Sequence, residues 1–162
     1  MILRAVVLIV LFLSANNVEA RLGETVDQLT ARYGQGSGAG KSVLMFHKQN
    51  WTITVWLIDG VSAAEQYQKG GGPSDDDIQT LLSINAQGQM WKVKTVQHTL
   101  GEILVPTLAT VARCWERDDG ALAYTPGGIQ YCLTVKSKAL VDEGAAEKVA
   151  NDKAKQSSLN GF

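Results

Sequence analysis

The stretch Gly34 to Ser42, GQGSGAGKS, ends in Gly40-Lys41-Ser42 and has the composition of a phosphate-binding loop. Such a loop needs Gly-x-x-x-x-Gly-Lys-Ser/Thr, because consecutive backbone amides must wrap the phosphates while the lysine reaches them. The leading glycine would have to be residue 35, which is Gln35; counting from Gly34 or from Gly36 misses the spacing by one in either direction. The order of elements also fails. A phosphate loop joins a buried strand to the N-terminus of a helix, whereas here a helical pattern precedes the glycines and a β-branched, apolar run follows them. Asp59, at the end of ITVWLID, sits where a magnesium-holding aspartate would, but Asp59-Gly60 is a two-residue hairpin signal. We therefore expect no nucleotide and no cofactor.

The remaining chemical candidates are sparse. His47 and His98 are the only histidines and have no carboxylate or cysteine at ligand spacing, so no metal site is expected. Asp75, Asp76 and Asp77 are consecutive, and on a helix consecutive side chains diverge instead of converging on one ion. Their place in the first turn of a helix, where the dipole favours negative charge, accounts for them. No Gly-x-Ser-x-Gly elbow is present. An enzyme is not expected from any local motif.

The four tryptophans, Trp51, Trp56, Trp91 and Trp115, carry the sharper expectation. A two-residue turn at Asp59-Gly60 pairs Trp56 with Ala63, Thr54 with Glu65 and Thr52 with Tyr67 on one sheet face. The other face then holds Ile53, Val55 and Leu57 and is the one a helix should cover, with Trp51 at its edge. Aromatic side chains among short polar ones suit a partner-binding surface. Trp56, Tyr67 and Thr54 are the expected binding residues.

Two arguments about Cys114 and Cys132 oppose each other. An even pair in an exported protein favours a disulfide, worth about 3 kcal/mol for a loop of this size. CWERDDGALAYTPGGIQYC, however, reads as strand, Asp-Asp-Gly turn, strand, Thr-Pro-Gly-Gly turn, strand. That puts the cysteines on the outer strands of a meander, about 9 to 10 Å apart, where a disulfide needs Cα atoms within about 4.4 to 6.8 Å. The pair stays a candidate disulfide.

Export itself is read from residues 1–20. MILRAVVLIVLFLSANNVEA has one early arginine, an apolar run from Ala5 to Leu13 and small residues at Val18 and Ala20, the pattern of a cleaved secretory leader. The apolar run is too short to span a membrane. The protein is expected in the periplasm or outside the cell, beginning at Arg21, without a transmembrane anchor. Fifteen Lys and Arg against 16 Asp and Glu leave no excess charge with which to hold nucleic acid.

Thr25 with Gln28 forms a capping box, Val26, Leu29 and Tyr33 keep helical spacing, and Gly34 follows as a left-handed cap. SVLMFHK, WTITVWLI and VSAAEQYQ read as strands. Ser74 opens a second capped helix with Ile78, Leu81, Leu82 and Asn85 on its inner stripe and Gly88 as terminator. Residues 91–112 are read as a strand and then a helix around LGEILVPTLATVA, ahead of the cysteine meander. The last segment, from Ala139, has little apolar stripe and reads as a frayed helix or mobile tail. The expected class is α+β, capped helices on antiparallel sheet, in two tandem helix-plus-meander units: 21–72 and 73–138, followed by 139–162.

Leu22-Gly23-Glu24-Thr25, the helix through Leu29, and Arg32-Tyr33-Gly34 before a strand meander resemble the unit of the β-lactamase-inhibitor-protein-like superfamily and of related small outer-membrane assembly lipoproteins. Those lipoproteins carry a lipidated cysteine after the leader; this chain has none. SDDDIQTLLSINAQGQMW and WERDDGALAY are also similar to uncharacterised secreted bacterial proteins. The expected role is a non-enzymatic module that binds a protein or envelope partner through a sheet face. The alternative is a small-ligand carrier or hydrolase whose site forms only in three dimensions.

Overall fold

The computed structural model describes residues 21–38, 42–94, 110–127 and 132–159. The expected leader, Gly40-Lys41 of the glycine loop, His98 and most of the helix expected around LGEILVPTLATVA lie outside the described residues, and the last three residues of that segment, Thr110 to Ala112, are strand and not helix. Three helices are described: α1 (Val26–Tyr33), α2 (Asp75–Ile84) and α3 (Lys138–Leu159). The strands are β1 (Ser37–Gly38), β2 (Val43–Lys48), β3 (Trp51–Ile58), β4 (Val61–Lys69), β5 (Trp91–Val93), β6 (Thr110–Arg117), β7 (Leu122–Gly127) and β8 (Cys132–Lys136).

Both capping boxes form. The Thr25 hydroxyl accepts the Gln28 N–H at 3.4 Å while Gln28 Oε1 accepts the Thr25 N–H at 2.9 Å, which satisfies two otherwise orphaned amides of α1. Gly34 ends the helix at φ 89°, a conformation that side chains with a Cβ rarely adopt. Ser74 and Asp77 make the same reciprocal pair on α2, at 3.2 and 2.7 Å. The ammonium of Lys69, and then the Ser74 hydroxyl, hold the Asp77 carboxyl down to about 2. Helix α2 stops earlier than Gly88: Asn85 is its C-cap and a tight turn follows.

The strands form one antiparallel sheet in the order β1-β2-β3-β4-β8-β7-β6-β5. Each expected unit thus contributes a helix and a meander, and the last strands of the two meanders, β4 and β8, pair with each other. Thr125, Pro126 and Gly127, expected in a turn, continue β7 instead, with Pro126 opposite Val111. The expected tail is helical: Ser137 Oγ accepts the Leu140 N–H at 3.4 Å and starts α3, whose Val149 is 68% exposed.

The core lies on one side of this sheet. Leu29 and Tyr33 from α1 and Ile78 and Leu82 from α2 pack on Phe46, Ile53, Val55, Tyr67, Leu133, Val135, Ala123 and Trp115. The strand residues all project from the same face, because the registers place Ile53 beside Tyr67, Tyr67 beside Leu133, and Val135 beside Ala123. Phe46 tilts against Tyr33 at 5.4 Å, and a Cβ at Gly36 would stand 2.7 Å from its ring, so only glycine fits there.

The hairpin register differs from the expected one. Ile58 faces Val61 and Leu57 faces Ser62 as expected, but the register then slips by a residue, and Trp56 pairs with Ala64, Thr54 with Gln66 and Thr52 with Gln68. Ala63 is the extra residue of a β-bulge, and its carbonyl accepts the Ser137 N–H at 2.8 Å. A one-residue slip moves every later side chain to the opposite face. Tyr67 and Glu65 therefore point into the core, and only β3 keeps its expected orientation.

Replacing Ser74 by Ala should cost about 1 kcal/mol in denaturant unfolding, the usual loss at an N-cap. Because the Asp77 carboxyl is depressed in the folded protein, its contribution is present above about pH 4 and is lost as pH falls toward about 2. Asp77→Asn should make acid unfolding correspondingly less steep in that window, read by circular dichroism.

Candidate functional site

The sheet face turned away from α1 and α2 is built from alternate residues of β2, β3, β4, β8, β7 and β6. One row runs Val43, Trp56, Ala64, Lys136 and Leu122; the next runs Met45, Thr54, Gln66, Thr134, Tyr124 and Cys114. Trp56 and Thr54 are half-buried, Met45 is 40% exposed, and His47 and Gln68 are exposed beside them. His47 Nδ1 lies 3.3 Å from the Thr52 hydroxyl. The rim of this face over β2 and β3 thus mixes one indole, one thioether and short polar groups.

Toward β8 and β7 the same face closes over. Ala64, Thr134, Cys132, Tyr124 and Cys114 are buried. Gln66 Nε2 donates to the Thr134 hydroxyl at 3.4 Å, and the Lys136 ammonium stands 5.7 Å from the Tyr124 ring. Burial pushes the Lys136 ammonium below the ordinary lysine range. Burial likewise raises both thiols and the Tyr124 phenol.

Of the three expected binding residues, the structure brings together two. Trp56 and Thr54 share the face, whereas Tyr67, 2% exposed, is on the other side of the sheet. The bulge at Ala63 is the reason. The other tryptophans belong to the helix-covered side: Trp115 is buried, Trp91 donates its indole N–H to the Leu82 carbonyl at 2.7 Å, and Trp51 stacks 5.0 Å from the Lys69 ammonium.

Cys114 and Cys132 are both free. They lie on β6 and β8 with β7 between them, the separation that opposed a disulfide in the sequence.

Beneath α1 lies a polar cluster that sequence reasoning missed. Glu65 is wholly buried and accepts hydrogen bonds from the Tyr67 hydroxyl, the Ser62 hydroxyl at 2.9 Å and the Tyr33 hydroxyl at 3.5 Å. Asn85, also wholly buried, donates to the Tyr67 oxygen at 3.3 Å and accepts the Leu22 N–H at 3.3 Å. Arg117, 4% exposed, grips Asp119 with two bonds of 2.9 and 2.6 Å and donates to the Asn85 carbonyl at 2.5 Å, closing the C-terminal end of α2. No sequence motif marks this cluster. The one available signal was an acidic residue inside the otherwise uncharged run Val61 to Tyr67.

A shallow groove of about 310 Å³ lies at the β5 end, but the charges that line it neutralise each other: Lys92 pairs with Asp118 at 2.5 Å and Lys94 with Glu116 at 3.0 Å. Among the described residues, no three histidine, cysteine or acidic side chains converge as metal ligands. No described helix is long and apolar enough to cross a membrane. No family model matches the chain, and neither a curated protein nor a solved structure matches it.

A thiol reagent should modify both cysteines once the protein is unfolded without reductant and neither at a comparable rate before unfolding. Fewer than two reactive thiols after unfolding would contradict the free state of this pair.

Proposed function

We propose that this protein is an exported, non-enzymatic binding module that recognises a protein partner in the cell envelope through the sheet face opposite α1 and α2. The observation that carries this reading is the placement of both helices on one side, which leaves Trp56 and Thr54 on the other with Met45 exposed next to them. A half-buried indole is held rigidly by its strand yet still offers area to a partner, the usual character of an interface anchor. Thr54, Thr52, Gln66 and Gln68 surround it with hydrogen-bonding groups that carry no charge, as the polar ring around an anchor does. The leader at residues 1–20 supports the periplasmic or extracellular address, and the near-neutral charge supports a protein partner over nucleic acid.

Replacing Trp56 by Ala should leave the circular dichroism spectrum unchanged and weaken capture of a discrete partner from cell-envelope extract by about 30-fold or more, the effect of losing an anchor worth about 2 kcal/mol. Val93→Ser, at the far β5 edge where the side chain is 80% exposed, should leave capture intact. Equal capture by wild type and Trp56→Ala would overturn the assignment.

A further inference from the structure

The segment Arg21 to Glu24 crosses from one helix-plus-meander unit to the other and makes at least one backbone hydrogen bond at each of its residues. The Leu22 N–H donates to Asn85 and its carbonyl accepts from Gln87 Nε2 at 2.6 Å. The Gly23 N–H donates to the Ser62 carbonyl, and the Ser62 N–H donates to the Glu24 carbonyl, both at 2.8 Å. Ser62 Oγ also lies 3.3 Å from the Arg21 carbonyl. Leu22 is 4% exposed, and Glu24, 8% exposed, forms an ion pair with Arg32 of α1. This strap and α1 therefore rest on the same few side chains.

Those side chains meet at Glu65. Its oxygens receive the hydroxyl of Tyr33 from α1, the hydroxyl of Tyr67 from its own strand and that of Ser62, which is in turn bound to the strap. Of the charged groups nearby, Arg32 on α1 favours a carboxylate and Glu24 on the strap opposes it, and the two are paired with each other. The flanking strands β3 and β8 present Val55 and Val135 at this level, both wholly buried and both apolar. From the α2 end, only neutral Asn85 reaches the cluster, through Tyr67.

We propose that this cluster is a proton-operated latch: the protonated Glu65 carboxyl fastens α1 and the Arg21–Glu24 strap to the sheet, and its ionisation loosens them. A carboxylate sealed among Val55, Val135 and two phenol rings loses its hydration, and three hydroxyl donors return only part of it. Burial accordingly pushes the Glu65 carboxyl above the ordinary glutamate range. A group whose folded form holds its proton more tightly contributes stability at low pH, and that contribution declines as pH rises from the ordinary range to the raised one. The elements that loosen are those bound directly to Glu65, while β6, which joins the network only at its far end through Arg117 and the Asn85 carbonyl, and β7 stay closed.

Hydrogen exchange on the full chain tests this, with wild type and Glu65→Gln measured side by side so that intrinsic exchange cancels. The wild-type to variant rate ratio at residues 22–24 and 29–33 should rise at least tenfold between about pH 4 and about pH 9, the span documented for buried glutamates. Amides of β6 and β7 should show no such rise. A flat ratio, or an equal rise in every strand, would overturn the latch. Tyr33→Phe provides a second reading if Glu65→Gln does not fold: it removes the hydroxyl by which α1 reaches Glu65 and should speed exchange at residues 29–33 already at the acid end, leaving a smaller rise toward the alkaline end. A profile superimposable on wild type would overturn the role of Tyr33 and with it the latch.

Discussion

The pairing of β4 with β8 is the constraint on which the rest of the molecule depends. Neither meander has a second layer of its own large enough to bury its apolar face, since each is covered by a helix of ten residues or fewer. Joining them edge to edge makes one sheet whose inner face is shared, so that Tyr67 rests beside Leu133 and Glu65 beside Val135. The seam also removes two edges that would otherwise expose unpaired amides and carbonyls. Because residues from both units line the seam, the core under α1 and the core under α2 are continuous.

A polar cluster at the centre of such a core has a structural cost and a structural use. The cost is the desolvation of Glu65; the use is that its hydroxyl donors come from α1 and β4, and its extended network from the N-terminal strap and the end of α2. Apolar contacts alone tolerate sliding, whereas hydrogen bonds of fixed direction define how a helix sits on a sheet. Arg117 extends the same logic to the second unit, joining the β6–β7 turn through Asp119 to the carbonyl that ends α2. The two helices are thus located by polar contacts and held by apolar ones, and the opposite face is left to Trp56 and its neighbours.

Local chemistry made much of this fold legible. Thr25 with Gln28 and Ser74 with Asp77 mark helix starts because their side chains can satisfy amides a helix leaves unpaired, whatever lies elsewhere in the chain. Asp59-Gly60 marks a tight hairpin because both residues tolerate positive φ, and they adopt 51° and 79°. The cysteine strands were legible through the turn at Asp118-Asp119-Gly120, and strand spacing alone argued against a disulfide. The face of β4 was not legible. Nothing in VSAAEQYQ announces that Ala63 is skipped, and a sheet period of two turns one skipped residue into a reversal of every side chain after it.

What the sequence by itself determined is therefore what depends on neighbours within a few residues: where helices begin and end, where the chain turns, and which strands follow one another. The tertiary structure decided which face each side chain of β4 occupies, and so moved Tyr67 from the expected binding surface to the core and placed Glu65 among hydroxyls from α1 and β4. The reason is that the bulge is stabilised by a distant residue, Ser137, whose N–H takes the Ala63 carbonyl, and that Glu65 finds its α1 donor, Tyr33, 32 positions away in the chain. Hydrogen bonds closed over such distances are fixed by packing, which local pattern does not encode.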